Sequence, residues 1–170
     1  MKYLMLSAAL LFFLTSCQNG CNSGPNAQSN TESVEQLPPP VNEEEARARR
    51  ALTNNYWVVN FFHRIRDPQA NRANQGRWYK FNPDGTYECG QFEKTFCKGK
   101  WRLFLEGNRA RLDLDAEIPE EDGEWMMQMA STEDIMIWVG TERYGTNNVQ
   151  MRLENLLFIP KNRQEMGLKN

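Results

Sequence analysis

The sequence has little of what catalysis or nucleic-acid binding requires. Its 170 residues include a single histidine, His63, and 20 basic residues against 22 acidic ones leave a formal net charge of −2. Nucleic-acid binding needs a clustered basic surface, so no such partner is expected. The chain has no glycine-rich phosphate loop, no nucleophile elbow and no Cys/His spacing that suits zinc. We therefore expect a protein that is not an enzyme and that uses no cofactor.

The few residues that hint at a reactive site have simpler interpretations. Asp113 and Asp115 form a D-x-D pattern, but they alternate with leucines, which places them on the solvent face of a strand. We expect no metal there. His63 follows an apolar run at the start of a polar stretch, and we expect an exposed loop residue rather than a general base.

Long apolar runs are confined to the N-terminus. The run over 3–14 follows Lys2 and is shorter than the roughly 20 residues that a spanning helix needs, so 1–16 is predicted to be a signal peptide. It ends in Leu14-Thr15-Ser16-Cys17, which resembles the lipobox of bacterial lipoproteins. The resemblance implies cleavage before Cys17, lipidation of its thiol and anchoring to a membrane. The alternative is an ordinary secretory leader with a chance cysteine.

The resemblance to lipoproteins also implies a location in the cell. Gln18 stands where an Asp is associated with inner-membrane retention, and no acidic cluster follows. A protein anchored in the outer membrane and facing the periplasm is implied. The segment 17–42 is rich in Asn, Ser, Gln, Gly and Pro and is predicted to be a flexible tether.

The remainder divides into a short helix, a β domain and a tail. A possible Asn42 cap, acids in the first turn and later arginines predict a helix over 43–52. The segment 53–160 contains about eight short alternating runs at regular spacing, and 161–170 is predicted to be a frayed tail. Such a pattern is typical of an all-β antiparallel up-and-down barrel or sandwich, and closure is favoured because it removes sheet edges.

Alternation also predicts which side chains point into the barrel. The clearest stretch is 76–106, where three consecutive segments alternate around a Pro83-Asp84-Gly85 turn. The predicted interior comprises Trp57, Val59, Phe61, Tyr79, Phe81, Tyr87, Trp101, Trp125, Met127, Met129 and Met151. The opposite faces carry further large apolar residues, namely Trp78, Phe92, Phe96, Phe104 and Trp138.

Two of the four cysteines lie opposite one another in this scheme. Cys89 and Cys97 occupy inward positions on two strands joined by a tight connection, within the Cα distance that a disulfide bridges. We expect a bridge, and two buried thiols are the alternative. Cys21 has no evident partner and is either a free thiol or a crosslink to another chain.

The domain as a whole resembles the lipocalin-like lipoproteins of Bacteroidota over about 52–155. The matching features are Asn55-Tyr56-Trp57, a long first loop, Phe81-x-x-Asp84-Gly85-Thr86-Tyr87, Gly99-x-Trp101, and Trp125-x-Met127 before a Ser-x-Glu-Asp turn. The resemblance implies a calycin-like barrel that binds a ligand.

Two functions remain open at this point. The first is binding of a small apolar ligand inside the barrel, for which the candidate residues are Trp57, Tyr79, Phe81, Trp101, Trp125, Met127, Met129 and Met151. These side chains fill the barrel instead if it has no cavity. The second is an envelope protein-interaction or inhibitor module that uses the outer aromatic face, unless 156–159 and the entry helix cover that face.

Overall fold

Eight antiparallel strands pair in sequence order and close on themselves, because the first strand also pairs with the last. The computed structural model describes residues 37–107 and 109–168. The strands are β1 (Tyr56–Arg64), β2 (Arg77–Phe81), β3 (Thr86–Gln91), β4 (Lys94–Glu106), β5 (Arg109–Ala116), β6 (Gly123–Met129), β7 (Ile135–Gly140) and β8 (Val149–Leu156). The predicted all-β up-and-down barrel is confirmed.

Three short helical elements lie between or before the strands. They are α1 (Glu43–Thr53), α2 (Ala70–Asn74) in the connection from β1 to β2, and a 3₁₀ segment (Pro119–Glu121) between β5 and β6. Alternating strand directions bring α2, the 3₁₀ segment and the connection 141–148 to the same end of the barrel, here called the α2 end. The chain enters β1 from α1 at the other end, the α1 end.

Local sequence explains why α1 begins where it does. The side chain of Asn42 accepts a hydrogen bond from the backbone N–H of Glu45 at 2.8 Å, and three glutamates occupy the first turn. Leu52, near the end of α1, is fully buried in the barrel core, and its carbonyl accepts a 2.9 Å hydrogen bond from the indole of Trp57. Helix α1 therefore closes the α1 end with an apolar side chain.

The middle of the barrel is filled by aromatic rings that surround Phe81. Its ring centroid lies 5.8 Å from that of Trp101, 6.0 Å from Tyr87, 6.2 Å from Trp138 and 6.3 Å from Tyr79. Trp138 also lies 4.9 Å from Tyr79. Offset and edge-to-face pairs at such distances add to the free energy gained by burial. The core of the domain and the barrel lumen are thus one packed cluster.

The predicted alternation is wrong in the second half of β1. Val59 pairs with Leu153 and Phe61 with Arg152, so Asn60 is an extra residue that forms a β-bulge. An extra residue reverses which side chains point inward. Phe62 is therefore buried, whereas Phe61, predicted to lie inside, is 50% exposed.

The predicted inward face of β7 is also wrong. Met136 and Trp138 are fully buried, whereas Val139, in the opposite phase of the strand, is 41% exposed. Trp138, predicted on the outer face, belongs to the lumen. Nearly every residue of this strand is apolar, so alternation cannot select a phase, and the larger side chain occupies the lumen.

Several predictions fall partly or wholly outside the described residues. The signal peptide over 1–16, Cys17, Cys21 and the tether up to residue 36 all lie there. At the C-terminus, the predicted tail forms turns over 161–168, and the guanidinium of Arg163 donates to the carbonyl of Arg72 at 3.4 Å. Among the described helices, none is long and apolar enough to cross a membrane.

The predicted disulfide between Cys89 and Cys97 is present. The two residues are register partners on β3 and β4, with Cα atoms 5.0 Å apart, and both are buried. The bridge closes a loop with a sequence separation of 8 residues. A β-bulge follows the pair at Gly90, so the bridge fixes the register at the point where the ladder becomes irregular.

We expect the double variant Cys89→Ala, Cys97→Ala to lose about 2.5 kcal/mol of unfolding free energy, as chain entropy predicts for a loop this short. Urea unfolding followed by tryptophan emission measures the change. Dithiothreitol should shift the unfolding midpoint of the wild-type chain and leave that of the double variant unchanged. Equal midpoints for the two proteins without reductant would show that the bridge contributes nothing.

Candidate functional site

A cavity of about 100 Å³, partly open to solvent, lies at the α2 end of the barrel. Inward-facing strand residues form its apolar wall, and α2, the 3₁₀ segment and the connection 141–148 close it from outside. The apolar lining comprises Phe62, Tyr79, Leu114, Trp125, Val149 and Met151, and the polar lining includes Arg64, Asn74, Arg77, Glu120, Glu121, Asp122 and Thr146. The cavity therefore combines an apolar wall with a charged rim.

Arg77 is the principal charged group of this rim. It is the first residue of β2, and it precedes Tyr79 and Phe81 on the same inward face. Its guanidinium carbon lies 5.4 Å from the ring centroid of Tyr79 and 5.2 Å from that of Phe96. Two aromatic rings thus flank the cation at distances suited to cation–π attraction.

The carboxylate of Glu121 is the direct partner of Arg77. It belongs to the 3₁₀ segment and accepts a hydrogen bond from Nη2 of Arg77, and both side chains are 20% exposed. Among the residues that the structure describes, the buried Nε of Arg77 has no hydrogen-bond partner. The ion pair therefore leaves one strong donor of the guanidinium unused.

Electrostatics keep this cluster in a defined charge state. Burial works to lower the pKa of Arg77, but Tyr79 and Glu121 outweigh it and the net shift is upward. Burial raises the pKa of Tyr79, although Arg77 opposes that shift. At neutral pH the rim thus presents a guanidinium cation beside a neutral phenol.

Three further polar groups are buried in the barrel without a hydrogen-bond partner. They are the indole N–H groups of Trp125 and Trp138 and the hydroxyl of Tyr87. Burial raises the pKa of the Tyr87 hydroxyl, so this group remains a neutral donor. Leaving a buried donor unpaired costs about 1–3 kcal/mol. Of the three residues, Trp125 lines the cavity.

Metal-ligand atoms cluster beside the rim, but their chemistry does not suit a metal. Among the described residues, the sulfurs of Cys89 and Cys97 and a carboxylate oxygen of Glu121 lie within 4.8 Å of one another. The two sulfurs are joined in the disulfide, and only a thiolate is a metal ligand. The cluster therefore places Glu121 against the disulfide that fixes β3 and β4.

The D-x-D pattern of β5 is part of an ion-pair network on the outer face. Nη1 of Arg143 lies 3.2 Å from a carboxylate oxygen of Asp113 and 3.2 Å from one of Glu124, which also accepts a 2.7 Å hydrogen bond from Thr141. That hydrogen bond, with help from Arg143, lowers the pKa of Glu124, whereas burial raises the pKa of Asp113. Asp115 is exposed at the end of the strand. These groups have a structural role in pairing adjacent strands.

Wider concavities lie on the outside of the barrel and are open to solvent. One of about 320 Å³ runs between Leu37 and β4 and reaches Phe104, and another of about 480 Å³ lies over β3, β4 and β5 near Glu88. The cavity at the α2 end is smaller than either of them. It is the better candidate because buried strand residues and a charged rim meet there, and small-molecule sites combine apolar walls with placed polar groups.

The structure divides the eight predicted ligand-binding residues into three groups. Tyr79, Trp125 and Met151 line the cavity. The second group, Trp57, Phe81 and Trp101, is buried in the filled part of the barrel. The third group, Met127 and Met129, is half-buried and packs against the core toward the α1 end.

Sequence reasoning missed Arg77 and Glu121, the ion pair of the charged rim. Arg77 occupies an inward position two residues before Tyr79, and extending the alternation of β2 by one step would have indicated it. Glu121 had no such signal, because it lies in an acidic connection where no period applies. His63, predicted in a loop, is instead an exposed residue of β1.

The chain has a distant similarity to a solved structure. No family model matches the chain, and no curated protein matches it. The chain is similar to the crystal structure of a DUF4847 family protein from Bacteroides vulgatus ATCC 8482, with 11% sequence identity and a TM-score of 0.46. The similarity covers 65% of this chain and 99% of that one. No family assignment follows from it.

Proposed function

We propose that the protein is a lipid-anchored, non-catalytic binding module that holds a small ligand in the cavity at the α2 end. The observation that carries this proposal is the cavity itself, with Arg77 at its rim and Trp125 in its wall. Apolar walls with a few placed polar groups are typical of small-molecule sites.

The size of the cavity limits the ligand. Ligand pockets usually enclose about 300–1,000 Å³, whereas this cavity encloses about 100 Å³. The aromatic cluster around Phe81 fills the lumen beyond it. The ligand we propose is therefore a compact molecule with one short apolar part.

The proposed anchoring rests on the N-terminal sequence. Leu14-Thr15-Ser16-Cys17 follows an apolar run with the length of a signal-peptide core. The disulfide supports an extracytoplasmic location, because such bridges persist in oxidising compartments. We place the domain on the periplasmic face of an outer membrane.

A non-catalytic role is part of the same proposal. His63 is exposed on β1 and does not line the cavity, and at the rim Glu121 is paired with Arg77 while Asp122 accepts from the backbone N–H of Ala116. This arrangement suits holding a ligand rather than moving a proton to and from it.

A protein-interaction module is the second candidate, and one observation favours it. Leu157 and Phe158 were expected to cover the outer aromatic face, yet they are 69% and 81% exposed just beyond β8. Two adjacent exposed apolar side chains suit contact with another protein.

Binding in the cavity is tested with small aromatic probes. We expect benzyl alcohol and benzoate to change the emission of Trp125 saturably, and palmitate to leave it unchanged. Val149→Phe fills the cavity and should weaken probe binding about tenfold or more, equivalent to about 1.4 kcal/mol. Val139→Phe makes the same change on the exposed face of β7 and serves as the control. Equal affinities for both variants would place the probes elsewhere.

The anchor is tested in cells that carry the full chain and are fed an alkyne-tagged fatty acid. Wild-type protein should incorporate the label and sediment with membranes, and Cys17→Ser should remove the label because a hydroxyl cannot form the thioether. Cys21→Ser is the matched control and should keep both properties. Labelling that persists in Cys17→Ser would refute lipidation at this residue.

The interaction hypothesis is tested with a photoreactive phenylalanine analogue at position 158. If Phe158 contacts a partner, irradiated envelopes should give one discrete heteromeric product. The same analogue at Phe61, an exposed position on β1, tests whether the product is specific to that site. Monomer alone at position 158 would contradict this second function.

A further inference from the structure

The carboxylate of Glu121 pairs with the guanidinium of Arg77 in the way that a ligand carboxylate would. The pair lies at the rim of a cavity whose wall is apolar, so an acid placed there would put its charge on Arg77 and its hydrocarbon inside. The hydrocarbon part of the Glu121 side chain is only two methylene groups. The side chain therefore satisfies the cation without filling the space beside it.

The guanidinium is only partly used by this internal carboxylate. Glu121 accepts from Nη2, while Nε is buried without a partner. A carboxylate that approaches side-on can accept from Nε and Nη2 together, and bidentate pairs of this kind are stronger than single contacts. A free acid in this place would therefore gain one charge-assisted hydrogen bond that Glu121 does not make.

The segment that carries Glu121 has little to hold it in place. No residue of Pro119–Glu121 is buried, so no apolar side chain fastens it to the barrel. Its ends are fixed by backbone contacts, from Glu117 N to Lys98 O at 2.9 Å and from Ala116 N to the carboxylate of Asp122 at 2.8 Å. Between these points, Glu121 is paired with Arg77 and lies beside the disulfide of Cys89 and Cys97.

We propose that Glu121 is an internal substitute for the carboxylate of a small monocarboxylic acid, which displaces Glu121 from Arg77, lifts the 3₁₀ segment and places its short apolar or aromatic part in the cavity. This inference rests on the proposed function and names its ligand class. The exchange makes and breaks no covalent bond, and one carboxylate replaces another, so the charge beside Arg77 is unchanged.

Removing the competing charge should improve acid binding. In the closed state Glu121 is paired with Arg77. If only about 10% or less of the molecules are open, the apparent affinity for an acid is weaker than the intrinsic affinity by about tenfold or more. Glu121→Gln keeps the size of the side chain but weakens its hold on Arg77, so we expect benzoate to bind about tenfold more tightly, measured by calorimetry on the full chain. Binding of benzyl alcohol, which has no charge, should not improve comparably.

Two control variants separate this effect from general charge. Glu117→Gln removes one exposed acid from the same connection outside the cavity lining and should leave benzoate affinity unchanged. The double variant Arg77→Gln, Glu121→Gln removes both partners of the ion pair, which avoids an uncompensated buried charge. It should bind benzoate no better than benzyl alcohol.

Amide hydrogen exchange gives a second readout that does not depend on any variant. The N–H of Glu121 donates to the carbonyl of Ile118 at 2.9 Å, and that of Asp122 to Pro119 at 3.3 Å. Benzoate should accelerate exchange at both amides in the wild-type chain, whereas benzyl alcohol should not. Unchanged exchange at saturating benzoate would overturn the displacement.

The outcomes for the two proposals differ. If benzoate and benzyl alcohol bind equally in the wild-type chain and in Glu121→Gln, the cavity binds ligands but Glu121 is no substitute carboxylate. If neither probe binds any variant, the proposed function fails as well. Tighter benzoate binding in Glu121→Gln but not in Glu117→Gln, together with faster exchange, supports the inference.

Discussion

The width of an eight-stranded barrel is the constraint on which the rest of the structure depends. Closing eight strands leaves an interior just wide enough for side chains or one small ligand. In this chain, rings around Phe81 occupy that interior from Tyr79 to Trp101, and Leu52 of α1 closes one end. The packing that stabilises the fold therefore also decides how much of the lumen remains for a ligand. What remains is the cavity at the α2 end.

The two ends differ because the inward positions of their strands carry different chemistry. At the α1 end, buried Leu52 and the indole of Trp57 continue the apolar core into the helix. At the α2 end, the inward face of β2 terminates in Arg77 instead of another ring, and its partner Glu121 comes from a connection with no buried residue. Charge and a lightly held segment thus coincide at the end that has the cavity.

Sequence reasoning reached the fold and the disulfide because both depend on a period of two. Alternation over 76–106 predicted correctly that Cys89 and Cys97 face each other across a strand pair. It failed at Asn60, where a bulge that no local pattern announces reverses the phase, and in β7, where apolar residues occupy both phases. Three of the predicted ligand-binding residues line the cavity, but the pairing of Arg77 with Glu121 could not be predicted, because closure of the barrel brings these residues together from β2 and from the connection between β5 and β6.

A buried ion pair such as that of Arg77 and Glu121 is weak evidence for stability, since loss of hydration offsets much of the attraction between the charges. That near-balance is what makes exchange of one carboxylate for another plausible in energetic terms. A competing acid meets the same cation, so the desolvation of Arg77 is common to both states.

The difference between the two states then lies in the apolar part of the acid, which contributes about 25 cal/mol for each Å² it buries. Burying about 100 Å² of the acid's apolar surface contributes about 2.5 kcal/mol. This gain exceeds the advantage of the covalently attached Glu121 only if the 3₁₀ segment holds Glu121 weakly in place. The 3₁₀ segment has no buried residue, which is the structural reason to regard its hold on the position of Glu121 as weak.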